Sequence, residues 1–525
     1  MDRQEEESME LIFHIYSETR DGEMMISVPY FLQIIKECGL RENDQRLLPV
    51  IKALKSYLAE DRTGFINIET FKKCINKCTF LLRRALQGDF VIPDFQVFTS
   101  TLKDFYHEAK LINDGQLSDY IPQLERLSPD KWGVAVCTVD GQRFSIGDCK
   151  DKWCLQSCCK CVNYAMILDE RGGDVVHKFI GQEPSGRRYH DMSMNLEGKP
   201  YNALINQGGI MGCALMKPNM PPADRFTHVR DRYKQAAGNE HIGFDLPTFL
   251  SEKETGHRNY ALAYHMFGKK AFPPGTVLNE VLDLYFQLCS VEVTCESASV
   301  IAATLANGGI CPTTEQRVVF NETAVRDTLS VMNSCGMSDY TGRFAFEVGL
   351  PAKSGISGGI FIIIPNVMGI CTWSPLLDNH SNSVRGVKFC KRLVEEFNFH
   401  YYDSLINIEK NDPRLSAEYV YGLKYSRIFT AAASGDLSAL KRYCQCGDME
   451  AIDYDQRTAL HVAAAEGHYN VVKYLLSVCK VNPNPKDRWG NIPIDDAEKS
   501  GNHHVVALLK HYSELERELK NKPTS

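Results

Sequence analysis

The sequence predicts an α+β protein, because two strand signals stand far apart in the chain and helical segments fill the interval between them. The first signal is a hairpin over 132–148, in which Asp140-Gly141 supplies the positive-φ turn. The second is the apolar run GGIFIIIP over 358–365. Apolar positions at helical spacing over 278–288 and 298–305 lie between them. We therefore expect a sheet assembled from distant segments of a domain spanning 91–415.

The 525 residues suffice for about three domains. Residues 1–90 place apolar side chains at helical spacing and give no strand signal, which predicts a small helical bundle. The stretch AEDRTGFINIET (59–70) has the outline of an EF-hand calcium loop, with Gly64 at the turn. Alanine and threonine occupy its first and last positions, where aspartate and a bidentate glutamate are needed. We expect an EF-hand-like domain without calcium.

Residues 420–512 repeat with a spacing of 32 to 34 residues between Gly435, Gly467 and Gly501. The segment TALHVAAAEGH followed by VVKYLL closely resembles an ankyrin repeat. Three repeats are close to the minimum for a stable stack, so we expect the module to act with the rest of the protein or with a protein partner. Residues 513–525 are predicted to be a polar tail.

Composition narrows the classes of function. A net charge of −7 argues against a nucleic-acid partner, and no apolar run is long enough for a membrane helix. The acidic N-terminus resembles neither a signal peptide nor a transit peptide, which predicts a cytoplasmic protein. In that compartment the 19 cysteines are expected to be reduced. The four at 154, 158, 159 and 161 are too compressed to wrap a tetrahedral ion, so we expect core packing, no metal and no cofactor.

Ser157 and Lys160 stand three residues apart and would share one face of a helix. If burial keeps the lysine uncharged, its amine can take the serine proton. The pattern is common by chance, and an exposed lysine one turn along is the plain alternative. A second motif, PAKSGISGGIFIIIP (351–365), places Lys353-Ser-Gly before a strand, as in the edge strand that accompanies Ser-x-x-Lys in penicillin-binding enzymes. A backbone N–H near Ile356 could then complete an oxyanion hole.

Longer motifs make the resemblance specific. They are QSCCK, EPSG (183–186), INQGG (205–209), SEKETGHRN (251–259), LYFQLCSVEVTCESASVIAATLANGG (284–309) and GLPAKSGISGG (349–359). Together they resemble the serine-dependent glutaminases, whose fold is similar to that of β-lactamases and penicillin-binding proteins. The helical N-terminal region and the ankyrin tail resemble the animal kidney- and liver-type members.

The resemblance implies hydrolysis of L-glutamine to L-glutamate and ammonia through an acyl-serine. It implies that Ser157 is the nucleophile, Lys160 its base and Tyr285 a proton donor to the departing ammonia. The implied substrate-binding residues are Tyr120, Ser157, Asn206, Glu252, Asn259, Tyr285 and Ile356. It also implies a homo-oligomer, either a dimer or a tetramer, and a mitochondrial location as the alternative to the cytoplasm.

Two departures from the family pattern stand out. Ser338 occupies the position of a family tyrosine that hydrogen-bonds the nucleophile, and Tyr340 follows two residues later, on the same face if that stretch is extended. In the loop 183–198, tyrosine and serine replace two phenylalanines of the segment that gates the site and joins dimers into tetramers. Activation by phosphate is therefore an open expectation, with cations at Arg188, Arg258 and Lys269 to attract the anion.

Two alternatives remain beside an active glutaminase. The first is a catalytically impaired scaffold or regulatory partner that binds through its ankyrin repeats, and Ser338 is the feature that favours it. The intact Ser157, Lys160 and Lys353 oppose it. The second is a penicillin-type hydrolase, which leaves the long glutaminase motifs unexplained.

Overall fold

The computed structural model describes residues 3–20, 22–60, 63–186, 191–319, 321–405, 410–443 and 449–520. These residues form two compact units, one ending at Arg414 and the other beginning at Leu415. No helix among them is both long and apolar enough to cross a membrane. The described residues also contain no group of three or more histidine, cysteine, aspartate or glutamate side chains placed to hold a metal ion.

The first unit opens with helices around an aromatic core. The helices are α1 (Arg3–Tyr16), α2 (Val28–Glu37), α3 (Leu48–Glu60), α4 (Ile68–Ile75) and α5 (Thr79–Leu86), and the strands are β1 (Ser17–Arg20), β2 (Glu23–Ser27) and β3 (Phe65–Ile66). Phe71 lies between Phe13 and Phe31, with ring centroids 5.6 and 5.1 Å away. The prediction that this region lacks strands was wrong. β1 is short, polar and largely exposed, so it carries no alternating apolar pattern. Gly64 does turn with φ +75°, while Asp61 and Arg62 of the calcium-like loop lie outside the described residues.

The α+β prediction is confirmed in the rest of this unit. Its helices are α6 (Phe95–Lys110), α7 (Pro122–Glu125), α8 (Cys159–Arg171), α9 (Gly173–Val176), α10 (Asn206–Leu215), α11 (Pro222–Ala236), α12 (Leu246–Thr255), α13 (His257–Gly268), α14 (Leu278–Cys289), α15 (Cys295–Ala306), α16 (Glu322–Cys335), α17 (Thr341–Glu347) and α18 (Val384–Glu396). Its strands are β4 (Gly133–Thr138), β5 (Arg143–Gly147), β6 (Trp153–Cys154), β7 (Ile242–Phe244), β8 (Val291–Val293), β9 (Ala352–Ser354), β10 (Gly359–Ile364) and β11 (Met368–Trp373). Short 3₁₀ turns cover Gln156–Cys158, Ser338–Tyr340 and Asp403–Leu405.

Five of these strands form an antiparallel sheet in the order β5-β4-β11-β10-β9. The predicted hairpin supplies β4 and β5, and the predicted apolar run supplies β10, so segments about 220 residues apart meet in one sheet, as expected. Every residue of β4, β10 and β11 is buried, because one core lies between the sheet and α8 and α15 and another between the sheet and α6 and α18. A separate sheet, β6-β8-β7, leads directly into the turn that carries Ser157.

Charge pairs fasten the N-terminal helical region to the β4–β5 hairpin and to α15. Arg41 pairs with Glu296 at 3.0 Å, and Arg84 pairs with Asp140 at 2.7 Å. On the hairpin itself, the buried guanidinium of Arg143 meets Glu240, with Nη2 3.1 Å from Oε2. We call these three charge pairs the hairpin clamp. Each of its arginines faces a carboxylate.

The second unit contains three pairs of helices. They are α19 (Ala417–Ser434), α20 (Leu437–Tyr443), α21 (Ala459–Ala465), α22 (Tyr469–Ser477), α23 (Pro493–Lys499) and α24 (His503–Lys520). Gly435, Gly467 and Gly501 each follow the first helix of a pair, with φ of 71°, 77° and 73°. This left-handed position strongly favours glycine, which explains the repeated residue. The predicted ankyrin periodicity therefore corresponds to a repeated structural unit.

Candidate active site

Ser157 lies on the 3₁₀ turn between β6 and α8 and lines a cavity of about 650 Å³. The preceding residue, Gln156, is buried and has φ of +47°. A left-handed backbone is costly for a side chain other than glycine and persists only where the surrounding structure imposes it. Gln156 directly precedes Ser157, so the packing that imposes this backbone conformation also fixes the position of Ser157.

Lys160 is the last residue of the Ser-x-x-Lys motif, and it is only 2% exposed. Its Nζ lies 2.9 Å from Oγ of Ser157 and 2.6 Å from Oδ1 of Asn206. Burial lowers the pKa of the lysine, because its charged form has lost its hydration. The plain alternative of an exposed lysine is therefore wrong. A serine hydroxyl next to a desolvated amine is the geometry of an activated nucleophile.

A chain of hydrogen bonds continues from the lysine. Asn206 Nδ2 donates to Oδ1 of Asn259 at 3.0 Å, and Asn259 Nδ2 donates to the Tyr120 hydroxyl at 2.6 Å. That hydroxyl donates to Oε2 of Glu252 at 3.3 Å. Each of these groups accepts one hydrogen bond and donates the next, so the chain runs in one direction from the Lys160 amine to the Glu252 carboxylate.

Glu252 is 1% exposed, and its carboxylate borders the same cavity. Burial raises its pKa to about 7, even though the nearby Gln156 amide, the Tyr120 hydroxyl and the charge of Lys160 all lower it. Oε1 makes no hydrogen bond that meets normal geometry within the described residues. A buried carboxylate with an unused oxygen facing a cavity suits a cationic ligand.

Tyr285 and Ile356 complete the expected set, and both line the cavity. Lys160 Nζ lies 5.8 Å from the centroid of the Tyr285 ring, and burial keeps the pKa of this phenol well above its ordinary value. Gly209 makes the arrangement feasible, since a Cβ there would lie 3.0 Å from Lys160 Cε and 3.1 Å from Tyr285 Cε2. Gly355 likewise packs against the serine turn, since its Cβ would approach the Leu155 carbonyl oxygen to 2.8 Å.

Lys353 lies outside the cavity lining and donates to the carbonyl oxygens of Gly336 and Ser354 at 3.1 and 2.7 Å. Burial, together with the charge of Lys160, lowers its pKa to about 8. The charge of Lys160 therefore disfavours the charged form of Lys353.

Ser338 does not line this cavity and makes no hydrogen bond to Ser157 within the described residues. It borders a second cavity of about 660 Å³ and has φ of +53°. The expectation that Ser338 and Tyr340 share a face of an extended stretch was wrong, because this stretch is a 3₁₀ turn. The Tyr340 hydroxyl donates to Glu347 at 2.6 Å, so it is engaged away from Ser157.

The expected cations do not converge. Arg188 and Tyr189 lie outside the described residues, whereas Arg258 lines the active-site cavity. Arg258 and Lys269 stand near opposite ends of α13, which separates them by about 16 Å at 1.5 Å per residue. Of these two, only Arg258 borders the active-site cavity.

Sequence reasoning missed Gln156 and the outer wall of the cavity. This wall contains Asp114, Gly115, Gln116, Leu117, Ser118, Asp119, Leu377, Asp378, Asn379, Ser381 and Val384. The segments 114–119 and 377–384 lie about 260 residues apart and carry no chemical motif. The left-handed backbone conformation of Gln156 also has no recognisable sequence pattern. The four cysteines around Ser157 are all buried and unbridged.

A nucleophile turn next to a five-stranded antiparallel sheet, with a buried lysine as its neighbour, defines a serine hydrolase of the Ser-x-x-Lys type. The family models agree: the glutaminase family matches residues 115–402, the EF-hand domain residues 8–93, and ankyrin repeats (3 copies) residues 428–518. The chain belongs to the glutaminase family, the amidohydrolases that act on glutamine.

Individual relatives support the assignment. The mitochondrial liver isoform of glutaminase from Rattus norvegicus is 49% identical over 506 residues, which cover 96% of this chain and 83% of the relative. A glutaminase of Trichormus variabilis is 38% identical over 321 residues, covering 61% of this chain and 94% of the relative. The solved structure of the probable glutaminase ybaS is similar with a TM-score of 0.54 and 30% identity, covering 56% of this chain and 95% of that one.

Proposed function

We propose that this chain hydrolyses L-glutamine to L-glutamate and ammonia through an acyl-enzyme on Ser157. The observation that carries the proposal is the 2.9 Å contact between Ser157 Oγ and a buried, desolvated Lys160 amine. With the amine neutral, the serine O–H donates to Nζ and passes its proton as Oγ attacks the side-chain amide carbon of glutamine. Asn206 holds the amine by accepting one of its N–H groups.

Substrate orientation follows from the polar chain. Glu252 pairs with the α-ammonium, and Asn206 and Asn259 offer neutral groups to the rest of the amino-acid head. A bound ammonium lowers the pKa of Glu252 again, because an opposite charge favours the carboxylate. This places the glutamine side chain toward Ser157.

Ser157 and Ile356 both line the cavity, and their backbone N–H groups are the donors that we propose for the tetrahedral oxyanion. Its collapse breaks the C–N bond, and the leaving nitrogen takes a proton from the Lys160 ammonium, either directly or through Tyr285, which Lys160 then reprotonates. The raised pKa of Tyr285 keeps its phenol protonated in the free enzyme. Water then attacks the ester and Lys160 accepts its proton. As the acyl C–O bond breaks, Lys160 returns that proton to Ser157 Oγ, and glutamate leaves.

The impaired-scaffold alternative had Ser338 as its basis. Ser338 stands outside the active-site cavity, while Ser157, Lys160 and Glu252 are in place. The comparisons support glutamine hydrolysis, and nothing in them favours a scaffold. Hydrolysis is therefore the function that we propose.

Ammonia release from L-glutamine by the purified full chain tests the proposal. Ser157→Ala is expected to lower kcat by about 10⁴-fold or more, as removal of a nucleophile does in serine hydrolases. Ser330→Ala, on the exposed face of α16, is the matched control and should stay within about twofold of the wild type. A wild-type protein that binds glutamine without releasing ammonia would support the scaffold instead.

Phosphate activation, assembly and location extend the proposal. We expect phosphate, if it activates the enzyme, to act at Arg258 or at Lys269. Adding phosphate to the ammonia assay tests whether the activity rises. We expect a homodimer or tetramer, to be tested by sedimentation, and a protein partner on the ankyrin repeats, which are a protein-interaction module. The rat and mouse relatives are named as mitochondrial, which supports mitochondria over the cytoplasm, and cell fractionation tests this location.

A further inference from the structure

One wall of the active-site cavity is an excursion of the chain between α6 and β4, residues 112–131, which we call the wall loop. Its residues 114–120 line the cavity and end in Tyr120. The wall loop is paired with the segment beginning at Leu377, since Gln116 N donates to Leu377 O and Leu377 N donates to Gln116 O, both at 2.9 Å. The position of Tyr120 thus depends on what holds this loop.

Arg385 lies behind both segments and is only 2% exposed. It is the second residue of α18, where the partial positive charge of the helix N-terminus disfavours a cation. Arg385 makes no ion pair with a carboxylate in the described part of the chain, and burial lowers its pKa. A buried arginine in such a position is electrostatically costly, so its hydrogen bonds must offset that cost.

Those hydrogen bonds join the two ends of the wall loop. At the first end, Nε donates to Ile112 O at 2.8 Å and Nη2 donates to Asn113 Oδ1 at 3.0 Å. At the second end, Nη1 donates to Pro129 O at 3.0 Å and Lys131 O at 3.3 Å. One planar guanidinium therefore fixes the distance between the two ends.

We propose that Arg385 is a positioning residue for glutamine, acting through Tyr120. By holding both ends of the wall loop, it sets the Tyr120 hydroxyl between Asn259 and Glu252, the groups that orient the substrate. The inference rests on the proposed function only in naming glutamine as the ligand. Arg385 itself lies outside the cavity lining and does not touch the substrate.

Gly115 supports the same mechanism independently. It has φ of +103°, and a Cβ there would lie 2.7 Å from the Leu377 carbonyl oxygen and 2.9 Å from Val384 Cγ2. Gly115→Ala would therefore push the wall loop away from its partner segment while keeping the arginine side chain at position 385. Both variants should displace Tyr120.

The test measures steady-state hydrolysis of L-glutamine by full-length variants. Arg385→Gln is expected to raise KM by about tenfold or more and to change kcat by less than about threefold, because the Ser157–Lys160 pair stays intact. Arg385→Lys, which keeps the charge but cannot reach both ends of the loop, should fall between Arg385→Gln and the wild type. Gly115→Ala should reproduce the rise in KM.

Coupling to Tyr120 separates positioning from a general structural role. In a Tyr120→Phe background, Arg385→Gln should raise KM by less than about twofold, because the hydroxyl that it positions is already gone. The matched control is Arg225→Gln. Arg225 is a buried arginine of α11 that donates to the carbonyl oxygens of Cys213 and Met216, at the end of α10 remote from Asn206. This control should lower the melting temperature and leave KM within about twofold. Equal KM effects in both backgrounds, or an unchanged KM in Arg385→Gln, would overturn the proposal.

A binding measurement keeps this proposal separable from the catalytic one. Calorimetric titration of L-glutamine into Ser157→Ala gives a Kd that needs no turnover, and adding Arg385→Gln should weaken it about tenfold. Binding that weakens as expected in a protein without hydrolysis would refute the proposed reaction and support the positioning role. Absence of glutamine binding in Ser157→Ala, or a Kd unaffected by Arg385→Gln, would refute the positioning role.

Discussion

The hairpin clamp and the active site both bury charged side chains, but they surround those charges differently. At the clamp, Arg143 meets Glu240 and Arg41 meets Glu296, so each cation has a carboxylate. At the active site, Lys160 contacts a hydroxyl and an amide, and Glu252 contacts a phenol. The two regions lie in one compact unit of the same chain.

The pKa directions follow from this difference. Burial alone would lower the pKa of Arg143, but the facing Glu240 carboxylate raises it, which secures the charged form. Burial lowers the pKa of Lys160 and raises that of Glu252, so in both groups the neutral form becomes more favourable relative to the charged one. Paired charges stabilise the structure around the hairpin, whereas buried groups that lack an opposite charge are suited to proton transfer and to ligand binding.

The largest expected effect comes from making the active site resemble the clamp. Lys160→Arg keeps a cation that can bond to Ser157 and Asn206, but a guanidinium stays charged and cannot accept the serine proton. We expect kcat for glutamine hydrolysis to fall by about 10³-fold or more. Lys388→Arg, at an exposed pair with Glu108, is the control and should remain within twofold. Substantial activity in Lys160→Arg would show that the amine is not the base.

Glu252→Gln should raise KM for glutamine and, above pH 7, increase the free energy of unfolding. Losing the carboxylate removes the partner of the substrate ammonium, and we expect KM to rise by about 100-fold. The folded-state pKa of about 7 exceeds the ordinary 4.5, so the stability associated with the protonated form is complete below pH 4.5 and is lost as pH rises through 7. At roughly 1.4 kcal/mol per pH unit between these values, the loss is about 3 kcal/mol.

The measurement is chemical unfolding of wild type and Glu252→Gln at pH 8 and at pH 4.5. The variant should be the more stable protein at pH 8, and the difference should vanish at pH 4.5, because the wild-type carboxyl is then protonated. A variant that is less stable at pH 8 would mean that the Glu252 charge is satisfied in the free enzyme.

What the sequence could predict depends on how local each feature is. Ser157 and Lys160 are one helical turn apart, so their contact follows from spacing once the helix and its burial are assumed. The hairpin and the β10 run were predicted because their apolar patterns are strong. Glu252 and Asn259 join the hydrogen-bond chain that starts at Lys160 from about 90 and 100 residues away, and only the family motifs identified them.

The features that sequence reasoning missed lack a local pattern or depend on distant contacts. β1 is polar and exposed, and the left-handed φ of Gln156 and Ser338 is set by tertiary packing. In the sequence, Arg385 looks like an ordinary helical arginine. Its contacts are with the wall loop, which lies more than 250 residues earlier in the chain. Such positions become recognisable only when the chain is folded.

The smallest effect on activity is expected from breaking the clamp. Glu240→Gln leaves the buried Arg143 charge without its carboxylate, which should lower the free energy of unfolding by about 2 kcal/mol, because Glu240 itself is partly exposed. Since the clamp carries no group of the cavity, KM and kcat should stay within twofold of the wild type. Chemical unfolding at neutral pH and the ammonia assay together check this result. A fall in kcat without a loss of stability would mean that the clamp acts on Ser157 through the sheet, and the contrast between a structural region and a catalytic one would then fail.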